Sequence, residues 1–582
     1  DFNKIEQKGI KSWKDKNTYV VHEDTKKKKF YVLDMFPYPS GSGLHVGHPL
    51  GYIASDIYAR YKRLQGFNVL HPMGYDSFGL PAEQYAIETG QHPEITTKKN
   101  ITRYKEQLDK IGFSFDWSRE IRTSDPTYYK WTQWIFKQLF NSYYCSSNDK
   151  ALPISKLIKE FERNGNADIK SPCDDDTPFF SASEWAQFNE KEQQNILLKY
   201  RLAFLSDTWV NWCPGLGTVL ANDEVKDGYS ERGNFPVEQK KMRQWSLRIT
   251  AYADRLLDDL NTIEWSESIK EMQKNWIGKS KGATVHFYTE NKKHSIEVFT
   301  TRPDTIYGVS FIAIAPEHNL INHITIDNQK KSVKDYCEKA KLKSERDRQS
   351  ETKTITGVFT GSHVIHPLTG KKIPIWVADY VLSSYGSGAI MGVPCGDQRD
   401  WDFAKNFDLK IPNIFKNADI SQSAVSDKKL IIANSEFLND LTAEDAIQVA
   451  IKEIKKRKIG KLKINYRIRN AVFSRQRYWG EPFPICYKED TPYLIEKEIC
   501  VKLPAVDKYL PTKEGEPPLA RATKKAWNIF EGDRMEYNTM PGWAGSSWYF
   551  LRFMDPHNDA EFVSKEKANY WGQVDLYIGG SE

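Results

Sequence analysis

At 582 residues the chain is too long for one hydrophobic core, so three or more domains are expected. Its composition, 40% hydrophobic and 27% charged, is that of an ordinary soluble protein, and no apolar run of membrane-spanning length occurs. A net charge of +6 permits a nucleic-acid partner without demanding one. The cysteines, at 145, 173, 213, 337, 395, 486 and 500, show no paired spacing, which argues against a disulfide framework and for a reducing, cytoplasmic setting.

Residues 31–48 read YVLDMFPYPSGSGLHVGH. The pattern predicts a strand, a tight loop and a helix start. A helix from about Pro49 to Leu64 follows, with Leu50, Ile53, Ala54, Ile57, Tyr61 and Leu64 on one stripe expected to pack on a sheet. Gly66 ends it, and Phe67 to Leu70 gives a second strand, so the unit is the βαβ block of a parallel sheet. His45 and His48 flank Val46 and Gly47 beside a helix N-terminus, where backbone N–H groups favour a nucleotide phosphate. The competing phosphate loop, which needs Lys-Ser or Lys-Thr after its glycines, is absent from GSGLHVGH.

The loop and helix HPMGYDSFGLPAEQYAIETG (71–90) put Asp76 at the same strand ends. From Ile101 to Tyr144 the pattern is helical, and its aromatics Trp117, Tyr128, Tyr129, Trp131, Trp134 and Phe140 read as core rather than as base-stacking rings. Residues 145–200 read as a small inserted module with helical patches near Ile154 to Phe161 and Glu184 to Tyr200. The segment 210–237 looks like a zinc knuckle in which Cys213 has no second cysteine at CxxC spacing, so no structural zinc and no other metal is expected. From about Lys281 to Lys461 the periodicity turns alternating, as a separate β-rich domain does. YRIRNAVFSRQRYWGEPFPIC (466–486), PGWAGSSWYFLRF (541–553) and VDLYIGGSE return to the first domain's style. The expected architecture is therefore α/β: a parallel-sheet domain (1–280 and 462–582) interrupted by a β-rich one (281–461). The termini read as those of a fragment.

FPYPSGSGLHVGH, GYDSFGLPAE, MRQWSLRITAYADRLLDDL, TTRPDT, HPLTG, YGSGAIMGVP with DQRD, SRQRYWG and YIGGSE occur in this order. The ordered set resembles class I aminoacyl-tRNA synthetases, specifically the bacterial-type leucyl-tRNA synthetases. Asp76 is followed by Ser77-Phe78-Gly79, as in leucine enzymes, where valine and isoleucine enzymes carry His-Gly.

The resemblance implies a Rossmann-like catalytic domain, an editing insertion, and a leucine-tRNA ligase. Such an enzyme makes leucyl-adenylate from leucine and ATP with Mg²⁺, passes leucine to tRNA(Leu), and hydrolyses mischarged tRNA. It also implies a cytoplasmic, monomeric protein with no membrane partner. His45 and His48 match the signature histidines, and Gly47, Gly579, Gly580 and Glu582 match positions against ATP. Met35, Phe36 and Tyr38 match the leucine side-chain pocket, and Asp76 the ammonium site. Arg475, Arg477, Tyr478 and Trp479 are candidates for the tRNA acceptor end, with a buried aromatic turn as the alternative.

A pocket separates side chains differing by one methylene by only about 1–3 kcal/mol, so a second, hydrolytic sieve is needed. The resemblance places it at Thr300, Thr301, Arg302 and Thr305 opposite Leu382, Tyr385, Met391, Val393, Asp397 and Asp400. Asp400 is expected to take the ammonium and Thr305 to block leucine by bulk.

The chain departs from the pattern in three places. Gly396 stands where many relatives carry histidine, the lysine-rich KMSKS signature is absent, and so is the anticodon-side helical domain. On that ground editing is expected and aminoacylation is not. Two alternatives stay open: an HxGH-type nucleotidylyltransferase, and a synthetase-derived tRNA-binding or leucine-sensing protein without catalysis.

Overall fold

The computed structural model describes residues 1–39, 41–174, 176–221, 224–226, 228–341, 348, 355–382, 387–496, 500–512 and 516–579. At its centre is a parallel sheet in which the strand Lys29–Asp34 lies between Asn68–Leu70 and Leu576–Ile578. KFYVLD is buried over its last four residues, as a parallel strand covered on both faces must be. The two ends of the chain thus meet: Tyr31 N–H donates to Asp575 Oδ2 at 2.7 Å.

The helix joining the first two strands spans Gly47–Leu64, two residues earlier than its apolar pattern suggests. The expected stripe does not face the sheet. Leu50 is 79%, Ile57 64% and Leu64 89% exposed, and Ile53 and Tyr61 are exposed as well. The buried face is instead Tyr52, Ser55, Asp56 and Ala59. Burying polar groups is tolerable only when they are bonded, and these are: Ser55 donates to Asp34 Oδ2, Asp56 accepts from Ser114 N–H at 2.6 Å, and Arg60 Nε pairs with Asp56 at 2.7 Å.

The aromatic helix Pro126–Phe140 buries Tyr128, Tyr129, Trp131, Phe136 and Phe140, as core residues. Residues 142–200 form a hairpin and three short helices, Ile154–Asn164, Ala182–Gln187 and Glu190–Leu198, around Phe161, Trp185 and Tyr200. Next comes a long antiparallel ribbon, Ala203–Cys213 against Glu238–Leu247, whose tip carries the knuckle-like segment.

The β-rich unit is a seven-stranded sheet between Ser280 and Asn465. Its first strand, Ser280–Thr289, and its last, Gly460–Asn465, pair antiparallel, so both connections to the parallel-sheet unit run side by side as a two-stranded stalk. Its core, led by Val285, Phe287, Ile312, Ile314 and Ile375, is separate from that of the parallel sheet. Among the described residues no disulfide joins the cysteines, and no described helix is long and apolar enough to cross a membrane.

Candidate active site

His45 and His48 stand at the start of the Gly47–Leu64 helix, their rings 3.8 Å apart. His45 Nδ1 accepts from Gly47 N–H at 3.1 Å, and His48 Nδ1 accepts from His45 N–H at 3.2 Å. With both Nδ1 atoms accepting, the proton of each neutral ring sits on Nε2. Burial, and then the neighbouring His45, hold the His48 imidazole below its ordinary value. The pair is a set of neutral N–H donors, suited to oxygens that gain negative charge in a transition state. Met35 is adjacent: Tyr52 of the same helix donates its hydroxyl to the Met35 carbonyl at 2.9 Å. Gly579 faces Met35 so closely that a Cβ there would lie 3.0 Å from Met35 Cβ.

Asp76 lies at the wall of a cavity of about 260 Å³, lined among others by Tyr38, Phe78, Ala221, Arg232, Arg475 and Trp543. Its carboxylate is buried and receives hydrogen bonds from Tyr38, Ser546 and Thr123, the last at 3.0 Å. Burial outweighs those bonds and pushes its carboxyl up to about 7. No described cationic side chain pairs with it, so the wall presents a carboxylate to a small cation entering from the cavity. The loop is held by its own backbone: Asp76 N–H donates to Pro37 C=O at 3.1 Å and Tyr75 N–H to Ile121 C=O at 2.9 Å. Phe36 is buried against Tyr549. The histidines do not line the Asp76 cavity; Met35 to Tyr38 is the segment that runs between the two.

SRQRYWG is not an open nucleotide-stacking platform. Tyr478 and Trp479 are buried. Tyr478 Oη meets His92 Nε2 at 2.9 Å, and Trp479 Nε1 donates to Ser77 C=O at 2.9 Å. The rings sit in a core with Phe78 and Leu519, which favours the buried aromatic turn, the alternative to stacking on the tRNA end. Arg475, also buried, donates to its own segment's carbonyls at Val472 and Ser474, while Arg477 reaches Glu224 of the ribbon tip at 3.6 Å. Both arginines line the Asp76 cavity.

In the β-rich unit, TTRPDT runs into the 3₁₀ turn Pro303–Gly308. Arg302 is folded onto Asp304, with Nη2 2.8 Å from Oδ2, and Thr305 Oγ1 donates to the Arg302 carbonyl at 2.8 Å. The turn packs against the loop after Ala389–Gly392. A Cβ on Gly308 would lie 3.1 Å from Val393 and Cys395, and one on Gly396 would lie 3.7 Å from Thr305 Cγ2. Asp397 caps the helix Gln398–Asn406. Asp400, buried behind it, accepts from Val393 N–H at 2.8 Å and Tyr380 Oη at 3.1 Å. Burial, and then Asp397, push Asp400 up to about 7. Leu382, Met391 and Val393 are buried here; Thr300 is half-buried and Thr301 exposed. Asp76 and Asp400, one in each unit, are thus both carboxyls raised by burial.

Residues 30–176 match the family model "tRNA synthetases class I (M)", and residues 274–455 match "Leucyl-tRNA synthetase, editing domain". The leucine--tRNA ligase of Cytophaga hutchinsonii is 59% identical over the whole chain, and that of Porphyromonas gingivalis 58%. The chain belongs to the leucyl-tRNA synthetase family. It spans about 63% of the length of each of those two relatives. A solved structure, the ternary complex of Agrobacterium radiobacter K84 agnB2 LeuRS with tRNA and LeuAMS, is similar at TM-score 0.73 and 32% identity, over 99% of this chain and 62% of that one. The α/β architecture with a β-rich insertion is thus that of the family.

Gly580, Glu582 and Tyr385 lie outside the described residues. Sequence reasoning did not single out Ser546, Thr123 or Tyr549. Ser546 and Tyr549 fall within PGWAGSSWYFLRF (541–553), a segment read only as resuming the first domain's style, whereas Thr123 carries no local signal. Among the described residues no group of three His, Cys, Asp or Glu could hold a metal ion.

Proposed function

We propose that the chain carries the amino-acid-binding and phosphate-binding part of a leucine-tRNA ligase's activation site in the parallel-sheet unit and its hydrolytic editing site in the β-rich unit; the complete enzyme activates leucine with ATP and transfers it to tRNA(Leu). The observation that carries this reading is Asp76, a buried carboxylate bonded only to neutral donors and open to a cavity of amino-acid size. A substrate ammonium completes it, and Met35, Phe36 and Tyr38 bound the adjoining side-chain space. Leucine's carboxylate then attacks the α-phosphate of ATP, releasing pyrophosphate. No covalent enzyme intermediate is required, so the protein's task is positioning and charge stabilisation. His45 and His48 supply Nε2–H donors to the phosphate oxygens, with Gly47 and Gly579 allowing close approach of the nucleotide; Mg²⁺ arrives with ATP. In the second unit Asp400 takes the ammonium of a misattached amino acid beside the Thr300, Thr301, Arg302 and Thr305 turn.

Calorimetric binding of leucine, isoleucine and valine to this chain, with leucine-dependent ATP–pyrophosphate exchange measured on a ligase that also includes a KMSKS segment, tests the reading. Leucine is expected to bind best and Asp76→Asn to abolish binding. His48→Ala is expected to slow exchange about 10²-fold, the scale for one transition-state donor, while changing leucine affinity little. Equal affinity for the three amino acids, or an Asp76→Asn variant that binds leucine normally, overturns it.

A further inference from the structure

One fully enclosed polar group near the signature loop, His71, is not used by this chemistry. His71, just past the strand Asn68–Leu70, is 0% exposed. Its Nε2 donates to Asp34 Oδ2 at 2.9 Å, while its Nδ1 has no hydrogen-bond partner and lies 3.9 Å from Asp56 Oδ1. Ser55 Oγ donates to the same Asp34 oxygen at 2.9 Å, and Asp34 Oδ1 is unbonded. Asp34 ends the central strand and Met35 follows it. Tyr52 and Ser55, one turn apart on the inner face of the Gly47–Leu64 helix, therefore fasten it at two successive residues, Met35 and Asp34. His71 ties that junction to the neighbouring strand. A buried carboxylate is costly unless its donors stay in place, so loss of a donor should move Asp34 and with it the helix.

We infer that His71 is a positioning residue: acting through Asp34, it sets where His45 and His48 stand relative to the substrate. The inference rests on the reading that those two histidines bind phosphate. The Asp76 loop should be spared, because it is also held from the far side, by the Tyr75 N–H bond to Ile121 C=O and the Thr123 bond to Asp76.

The test compares, on this chain, the affinity for leucine with that for a non-hydrolysable leucyl-sulfamate analogue of the adenylate. His71→Leu is expected to weaken the analogue about tenfold, the scale of one hydrogen bond to a charged group, and leucine by less than about twofold. His71→Gln, which keeps an N–H donor near the Nε2 position, is expected to recover most of the loss. Ser55→Ala, a small change that leaves the histidine in place, is expected to give the same split at about threefold, and it decides the matter should His71→Leu not fold. Leucine and analogue weakened equally, or neither weakened, overturns the inference alone. A wild-type chain that binds leucine but gains nothing from the analogue's adenosine and sulfamate overturns the phosphate-binding reading and this inference with it.

Discussion

Phe36 lies flat on Tyr549, with ring centroids 4.2 Å apart and planes within 1° of parallel. The contact joins the loop after the first strand to a segment more than five hundred residues later, and it supports Phe36, one of the residues proposed to bound the leucine side chain.

An aromatic pair of this kind is worth about 0.5–1.5 kcal/mol beyond its buried area. Tyr549→Ala should therefore weaken leucine binding several-fold to about tenfold, whereas Tyr549→Phe, which keeps the stack, should stay within about twofold. Calorimetry decides; a Tyr549→Ala variant of normal affinity would show that Phe36 does not depend on Tyr549.

Leucine binding should depend on pH through Asp76. Its carboxyl, pushed up to about 7 by burial, is neutral below that pH and cannot pair with an ammonium. Affinity should fall about tenfold from pH 8 to pH 6, with most of the loss below 7. A flat profile across that range would contradict the assignment.

Thr305 lies close against Gly396 and has its hydroxyl tied to Arg302, so its γ-methyl is held in a fixed place. Thr305→Ala should open space for leucine's side chain and raise hydrolysis of leucyl-tRNA at least about tenfold, on the scale of discrimination by one or two methyl groups. Asp400→Ala should abolish hydrolysis of mischarged tRNA. If the lifetime of leucyl-tRNA is the same with either residue at 305, Thr305 is no gate.

Glu481 gives a stability prediction. It is buried against Thr132 and the Gly545 backbone, yet neither carboxylate oxygen completes a well-formed hydrogen bond. Burial raises its carboxyl well above the usual value. A raised folded-state value means that stability is fully present below the unfolded-state pKa and is lost as pH rises toward the folded-state one. Glu481→Gln removes that loss. Its Tm should exceed the wild type's at pH 8 and match it near pH 4; a lower Tm at pH 8 would show that the carboxylate is satisfied.

The strand-loop-helix at 29–64 was legible because an apolar run and a Gly/Pro/Ser turn are local signals, and the β-rich block because alternation is. The facing of the helix was not. Its apolar stripe is the regular one, and nothing local says that Ser55 and Asp56 find Asp34, Arg60 and Ser114 as partners. Sequence left the burial of Tyr478 and Trp479 as one of two readings, because what decides it, contact with Ser77 and His92, lies about four hundred residues away. Asp76 could be singled out from its motif, but the Thr123 and Ser546 hydroxyls around it are brought in by tertiary structure alone.

The third strand of the parallel sheet, Leu576–Ile578, arrives more than five hundred residues after the strand it pairs with. Such a contact carries a large loop-closure cost, and long-range parallel pairing is slow. The stalk eases this, because Ser280–Thr289 and Gly460–Asn465 close the β-rich unit on itself, shortening the effective tether before the parallel sheet forms. During synthesis the insertion can fold as a unit, while the first two strands and their helix wait, incomplete, for the last. Folding order is thus the reverse of what chain order suggests: the interrupting unit is finished before the one it interrupts.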